Sequence, residues 1–189
     1  AAMQLNTTGC ENSAFGRKAM CCNTTGFNNT AVGMAALGNN STGCYNTAIG
    51  NNALSDNTTG SDNIAIGYNA LSTEDTGQAN IAIGQGALQT ANSDGTAYNI
   101  AVGHEAGKLI TTGIENTIVG GLAGDALTTG SYNIAIGQLA LSTEDEGSRS
   151  IAIGKNALRL QNNDGNNYNI AIGHSAGENV STGTINTLI

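Results

Sequence analysis

The sequence predicts an all-β fold, a parallel β-solenoid (β-roll) in which about eleven coils stack into an elongated rod. A phrase of the form Asn-x-Ala-Ile/Val-Gly recurs along nearly all 189 residues, at steps of 17 residues and, twice, of 19. Its apolar residues alternate with period two and end at a glycine, which is typical of a short strand that stops at a corner. A unit this short cannot hold a pair of helices, so we expect one coil per repeat.

The composition favours a thin core. The chain has no Pro or Trp and contains 27 Gly, and such small side chains cannot fill a wide interior. Its net charge of −8 includes only six Lys and Arg, which are scattered along the chain. Nucleic-acid binding requires clustered positive charge, so no nucleic-acid partner is expected. No apolar run approaches the ~20 residues of a membrane span, so we expect no membrane insertion.

Each coil can be counted from its asparagine, and a given position then carries the same type of residue in successive coils. The coils begin at Asn12, Asn29, Asn46, Asn63, Asn80, Asn99, Asn116, Asn133, Ser150, Asn169 and Asn186. Position 4 is large and apolar, position 5 is Gly, position 8 is Ala, and position 9 is mostly Leu or Met. Because side chains alternate along a strand, a position 4 that points inward places position 3 outward. Position 3 is Ala in nine coils, so we expect an outward alanine stripe that another chain covers.

Two other patterns have structural interpretations. The asparagines at position 1 are expected to form a hydrogen-bonded amide ladder along the rod, and Asn also tolerates the turn conformation of a corner. In three coils position 9 is a glycine, Gly107, Gly124 or Gly177. Each is followed three positions later by an apolar residue, which is Ile110, Leu127 or Val180. We expect that in these coils the later apolar residue fills the core space that Leu or Met of position 9 fills elsewhere, so the packed volume of the core stays the same.

The chain is predicted to be a single β-solenoid repeat domain, residues 1–189, with an internal duplication. Residues 63–132 recur as residues 133–189, and the two 19-residue coils contain the phrases "NSDGTAYN" and "NNDGNNYN". Because Asp-Gly marks a tight turn, each of these coils is expected to carry an enlarged loop, around Asp94 and Asp164.

The phrases "NTAVGMAAL", "NTAIGNNAL" and "NIAIGYNAL", joined by "NTTG" and "NSTG", resemble the head repeats of trimeric autotransporter adhesins. They also resemble the 17-residue repeats of phage and viral tail-fibre shafts. The resemblance covers nearly the whole chain. It implies a left-handed coil, three chains packed around one axis, and an extracellular, cell-surface or virion-fibre location. It also implies a possible cell-surface or glycan receptor.

No enzyme activity, cofactor or metal site is expected. His104 and His174 lie on equivalent coils, four coils or ~19 Å apart, which is too far for a catalytic pair or a shared metal. The acidic phrases "STEDTG" and "STEDEG" do not match the spacing of a calcium loop and are interpreted as solvated turns. No serine lies in the context of a nucleophile elbow.

The four cysteines, Cys10, Cys21, Cys22 and Cys44, all lie in the first three coils. An even number in an extracellular type of chain, without a CxxC spacing, favours disulfides over a zinc site. Cys10 and Cys44 share a column but lie two coils, ~10 Å, apart, which is too far for a direct bond. The connectivity stays open, as does the choice between bonds within one chain and bonds between chains.

A column of four asparagines satisfies the glycosylation pattern. Asn6, Asn23, Asn40 and Asn57 each open an Asn-Thr/Ser-Thr sequence. Glycans at the ~4.8 Å spacing of stacked coils would crowd one another. The alternative is a second ladder that forms turns.

Neither end of the predicted rod carries an obvious cap. Ala2 and Met3 fall in the Ala and Leu columns after Ala1, and the last coil stops at Leu188 and Ile189. We expect these residues to form a subunit junction, because one tail and the next head nearly complete a coil. Such head-to-tail contacts do not close and propagate as fibres. The expected function is therefore a structural extracellular fibre protein, and the alternative is a receptor-binding shaft module of a trimeric adhesin or tail fibre.

Overall fold

The computed structural model describes residues 1–189 and confirms a parallel β-solenoid without helices. Its eleven strands form one sheet in the order of the chain, each parallel to the next. The strands are β1 (Ser13–Phe15), β2 (Thr30–Val32), β3 (Thr47–Ile49), β4 (Ile64–Ile66), β5 (Ile81–Ile83), β6 (Ile100–Val102), β7 (Thr117–Val119), β8 (Ile134–Ile136), β9 (Ile151–Ile153), β10 (Ile170–Ile172) and β11 (Thr187–Leu188). Strands β1 to β10 occupy positions 2 to 4 of their coils and β11 occupies positions 2 and 3, all within the Asn-x-Ala-Ile/Val-Gly phrase.

The coils stack in register over their whole circumference. In the sheet, Ala48 lies beside Ala65 and Ile49 beside Ile66. Outside the strands the same relation continues, since the backbone N–H of Leu37 donates to the carbonyl of Ala53 in the next coil, at 3.0 Å. Only 20 of the 116 backbone hydrogen bonds of the rod join two strand residues. The turns are therefore also bonded from coil to coil, which explains how strands of three residues persist.

The core reverses the predicted orientation of the strands. Ala31 and Ala48 at position 3 are fully buried, whereas Val32 and Ile49 at position 4 are 38% exposed. The prediction of an outward alanine stripe is wrong, and the outward face carries the large residues of positions 2 and 4. The reason is the width of the coil. The strand lies directly against the Ala of position 8 and the Leu of position 9, such as Leu54, so only a methyl group fits on its inner side.

Two coils depart from this rule, with Ile118 and Leu188 at position 3, and the first of them shows how the volume is conserved. Ile118 replaces Ala at position 3 and is fully buried. A Cβ placed on Gly107 would lie 3.0 Å from its Cδ1 atom, and one on Gly124 would lie 3.1 Å from it. Both glycines therefore make room for Ile118. Ile110 and Leu127 are buried as well, which confirms that the core side chain moves along these coils.

The glycines of position 5 allow the close approach of successive corners. Gly67 has a φ of +136°, and a Cβ built on it would lie 2.5 Å from the carbonyl oxygen of Gly84 in the next coil. Any side chain here would push the two coils apart, so the glycine column is a condition of the 17-residue stacking.

The two longer coils have the same local structure. Gln78 pairs with Thr96, and Ser148 pairs with Asn166, each through an isolated parallel bridge beside the enlarged loop. Asp94 and Asp164 at the loop tips are both exposed. The added residues therefore project outward and leave the stacking of the neighbouring strands in place.

The inward orientation of position 3 can be tested on strand β3. We expect Ala48→Ile to lower the free energy of unfolding by about 1–3 kcal/mol, because the interior has no room for the larger side chain. The adjacent change Thr47→Ile is the matched control, since Ile64 already occupies the same outward column. It should alter the free energy by no more than about 0.5 kcal/mol. Urea unfolding measures both, and a larger loss for Thr47→Ile would contradict the observed orientation.

Candidate functional site

The outward face of the sheet runs the length of the rod. Positions 2 and 4 carry only Ser, Thr, Ile, Val and Phe, so the face has no charged residue along its whole length. Its residues at position 4 are Phe15, Val32, Ile49, Ile66, Ile83, Val102, Val119, Ile136, Ile153 and Ile172. The face is therefore an uncharged strip whose position 4 is apolar in every coil, and we call it the Ile/Val face. Contiguous exposed apolar surfaces of this kind mark contact sites more often than catalytic ones.

The ladder predicted for the position 1 asparagines is present. The backbone N–H of Asn46 donates to Oδ1 of Asn29 at 2.9 Å, and Nδ2 of Asn46 donates to the carbonyl of Gly60 at 2.8 Å. The same two bonds recur through most of the stack, mainly as amide-to-backbone contacts. Ser150 interrupts the column but keeps the backbone bond to Oδ1 of Asn133, at 2.9 Å.

The column of glycosylation candidates, Asn6 to Asn57, forms a second ladder. Nδ2 of Asn23 donates to Oδ1 of Asn6, and Nδ2 of Asn40 donates to Oδ1 of Asn23, both at 2.7 Å. Nδ2 of Asn57 donates to Oδ1 of Asn40 at 2.8 Å. Asn23, Asn40 and Asn57 are fully buried. Because a glycan would be attached at the same Nδ2 atoms, the folded coils cannot carry it there, and the ladder is the interpretation that the structure supports.

This second ladder ends at a buried carboxyl group. In the next coil the equivalent position is Glu74, which is fully buried, so the expectation of a solvated acidic turn is wrong for this residue. Its Oε1 accepts the N–H of Gly77 at 2.8 Å, while the contacts of Oε2 with Asn80 and Ser93 are long, 3.4 and 3.5 Å. Burial raises the pKa of the Glu74 carboxyl, although the hydrogen bond from the Gly77 N–H opposes this. In the preceding coil, the buried Oδ1 of Asn57 accepts no hydrogen bond.

Its copy in the second block, Glu144, is also fully buried but has strong donors around it. Oε2 accepts from Nε2 of Gln161 at 2.7 Å and from Nδ2 of Asn167 at 2.9 Å, and Oε1 accepts from the N–H of Gly147 at 2.9 Å. Seventy residues earlier, Gln161 and Asn167 correspond to two alanines. The two carboxyl groups therefore occupy one site of the coil in two different hydrogen-bonding environments.

The residues considered for catalysis or metal binding remain dispersed. His104 and His174 are exposed on their separate coils. No group of three or more His, Cys, Asp or Glu side chains is arranged to hold a metal ion. The acidic residues next to the buried glutamates, Asp75 and Asp145, are half-buried at the surface.

The cysteines form no disulfide within the chain. Cys10, Cys21, Cys22 and Cys44 are all free thiols, so of the two alternatives only bonds between chains stay a prediction. Cys10 and Cys44 lie two coils apart, with Phe27 between them in the same column.

Cys21 and Cys22 are adjacent and half-buried, with their Sγ atoms 3.6 Å apart. They border an open cleft of about 420 Å³ that is lined by Lys18, Asn39 and Asp56, among others. The sequence alone gave no sign of the cleft, because the three coils that line it meet only in the fold.

The residues predicted to form a junction continue the coil pattern. Ala2 and Met3 pack against the core, and the N–H of Met3 donates to the carbonyl of Ala19 at 3.0 Å. Leu188 packs on the core at the opposite end, whereas Ala1 and Ile189 are exposed.

Sequence reasoning missed the buried glutamates, although a signal was present. Glu74 follows Asn57 by 17 residues, and Gly77 stands three residues after it, where Gly60 follows Asn57. Continuing the asparagine column by one coil would have placed Glu74 inside the rod. Its counterpart Glu144 follows a coil that lacks the asparagine, so the same extrapolation does not reach it.

The structure contains no helix that is both long and apolar enough to cross a membrane. No family model, curated protein or solved structure matches the chain.

The two buried glutamates should respond oppositely to amide replacement. We expect Glu74→Gln to raise the free energy of unfolding at pH 8 by about 1–3 kcal/mol, because the amide is neutral and its N–H₂ can supply the donor that Oδ1 of Asn57 lacks. Glu144→Gln should lower it, since the new N–H₂ would face the donors Gln161 and Asn167. Urea unfolding of both variants measures the two signs, and equal effects would contradict the assignment.

The gain from Glu74→Gln should also depend on pH. A carboxyl whose pKa is raised in the folded state favours folding in its protonated form. This contribution is lost as the pH rises from the unfolded pKa, ~4.3, through the raised folded pKa. The stability difference between Glu74→Gln and the unchanged chain should therefore be large at pH 8 and vanish towards pH 4. A difference independent of pH would show that Glu74 does not titrate in this way.

Proposed function

We propose that the chain is a structural extracellular fibre protein whose copies assemble through the Ile/Val face and stack along the rod axis into a filament. The observation that carries this proposal is the Ile/Val face itself, an apolar strip on the outside of every coil. In a single chain the large side chains of this face stay partly exposed to water, as with Ile49 at 38%. A second copy that covers the strip removes its apolar surface from water.

The size of the face suits an interface. Ten coil spacings of ~4.8 Å and a width of ~10 Å give a footprint of roughly 500 Å², which is in the range where exposed apolar patches are commonly functional. The corrugation of the side chains makes the accessible surface larger than this flat area. Standard protein interfaces bury ~800 Å² of accessible surface per partner.

The charge distribution supports self-association through this face in particular. The chain carries a net charge of −8, so two copies repel each other at most relative orientations. No strand residue at positions 2 to 4 is charged. Contact through the Ile/Val face therefore places uncharged strips together and leaves the acidic turns in solvent, as in interface cores, which are depleted of charge.

Axial stacking is supported by the equivalence of the coils. Each inner strand of the sheet pairs with a parallel strand on both sides. Since every coil already binds the next by the same in-register bonds, a coil of another copy can add by the same contacts. The resemblance to adhesin heads and tail-fibre shafts supports three chains around the axis and an extracellular location.

The assembly can be tested with two equally exposed apolar residues. Ile83 on the Ile/Val face is 36% exposed and Leu160, at a corner away from it, is 37% exposed. Ile83→Glu places an unpaired charge in the proposed interface and should weaken self-association at least about tenfold. Leu160→Glu, the matched control, should leave it unchanged.

Light scattering coupled to size-exclusion chromatography, together with negative-stain electron microscopy, measures this outcome. Short monomeric rods at all concentrations of the unchanged chain would overturn the proposal. So would equal effects of the two variants. If copies associate side by side but do not grow along the rod axis, the Ile/Val face remains the proposed interface and the filament is excluded.

A second candidate function, a receptor-binding shaft module, is favoured by the enlarged loops. Asp94 and Asp164 are exposed at their tips, and Tyr98 and Tyr168, just after the loops, are 61% and 51% exposed. Exposed tyrosines beside protruding loops suit recognition of a cell-surface or glycan receptor. Binding of the unchanged chain to a glycan array, abolished by Tyr98→Ala together with Tyr168→Ala, would favour this function. Binding that survives both substitutions would exclude these loops.

A further inference from the structure

We propose that Cys21 and Cys22 form a two-thiolate site for a soft, thiophilic metal ion. This site goes beyond the proposed fibre function and is independent of assembly through the Ile/Val face. Ions of this class, such as Cu(I), Zn²⁺ and Cd²⁺, prefer sulfur ligands. The two cysteines provide them from one turn of a single coil.

The distance between the sulfur atoms matches the geometry of such a site. The two Sγ atoms lie 3.6 Å apart. Two thiolates bound to one ion at ~2.3 Å, with a tetrahedral angle, lie ~3.8 Å apart. An ion can therefore bind between the sulfurs with little movement of the backbone. By contrast, a disulfide requires sulfur atoms ~2.05 Å apart, so the observed thiols are closer to a metal-binding arrangement than to an oxidised one.

The surrounding cleft provides access and room for additional ligands. The column of Cys21 continues with Gly38 and then Ser55, and the missing side chain at Gly38 leaves a gap between them. This gap belongs to the open cleft of about 420 Å³. Sγ of Cys21 points towards it and donates to the carbonyl of Gly38 at 3.3 Å. Two protein ligands leave coordination positions open, and water or a small thiol can occupy them inside the cleft.

The charges in the cleft suit a cation bound by two thiolates. Lys18 and Asp56 are the other ionisable residues that line it, one positive and one negative. Asp56 is held by Nδ2 of Asn39, which donates to its Oδ1 at 3.2 Å. Two thiolates and a divalent ion add no net charge to this balanced surrounding, so binding carries a small electrostatic penalty.

Metal binding at this pair must displace protons. Burial, together with the hydrogen bond and the charge of Cys21, raises the pKa of the Cys22 thiol, while Lys18 lowers it. A thiol binds a metal ion as the thiolate, so an ion held by both sulfurs displaces their protons, and its affinity should rise with pH.

The experiment titrates Cd²⁺, as the probe, into the full chain, which is reduced and kept anaerobic. The sulfur-to-cadmium charge-transfer absorption of the complex reports thiolate binding directly. We expect one Cd²⁺ per chain. Cys21→Ser and Cys22→Ser should each weaken binding more than about 100-fold, because even changes outside the ligand sphere cost 10–100-fold. The matched control, Cys10→Ser with Cys44→Ser, should leave affinity and stoichiometry unchanged.

The site would be overturned if the unchanged chain showed no thiolate–cadmium absorption. It would also be overturned if Cys21→Ser or Cys22→Ser still bound Cd²⁺, or if the control with Cys10→Ser and Cys44→Ser did not bind it. A stoichiometry of one ion per two chains would assign the ion to an interface instead. Far-ultraviolet circular dichroism of each variant verifies that the solenoid is intact, so a loss of binding can be attributed to the missing thiol.

Discussion

In-register stacking is the constraint on which the rest of this structure depends. Each residue lies beside its equivalent in the next coil, at the spacing of paired strands. Each residue therefore has to pack against, or hydrogen-bond to, the same type of residue in the next coil. Asparagine meets this condition because its side-chain amide both donates and accepts hydrogen bonds. The glycine of position 5 meets it because it has no side chain to separate the corners. Large apolar residues meet it on the outside, where Ile49 and Ile66 lie beside each other without crowding the interior.

The same constraint explains the two buried glutamates. A carboxylate accepts hydrogen bonds but donates none, so it cannot replace asparagine in a ladder without changing its neighbours. The second block has compensated with Gln161 and Asn167, which donate to Glu144. The first block has alanines at these positions. Glu74 is left with weak contacts on one oxygen, beside an asparagine oxygen that has no donor. A duplicated coil can thus retain its backbone while its buried polar groups diverge.

The thin interior also bears on function. A coil that can hold only Ala on the inner side of its strand has to place its β-branched residues outside, and the outside then carries the larger apolar side chains. The rod is consequently hydrogen-bonded from coil to coil along its length, yet has an apolar strip exposed to water. This combination suits a protein that is stable as a single coil stack and gains further burial by assembly.

The sequence by itself determined the solenoid, the number of coils, the location of each strand and the displaced core side chains at Gly107 and Gly124. All of these follow from spacing along the chain, which a repeat displays directly. Only the tertiary structure decided which side of the strand faces inward, because alternation specifies two faces without saying which is buried. The width of the coil, set by the packing of position 3 against positions 8 and 9, makes that choice. Likewise, the burial of Glu74 and the cleft beside Cys21 and Cys22 depend on how side chains from different coils share space, and the order of residues within one coil does not contain that information.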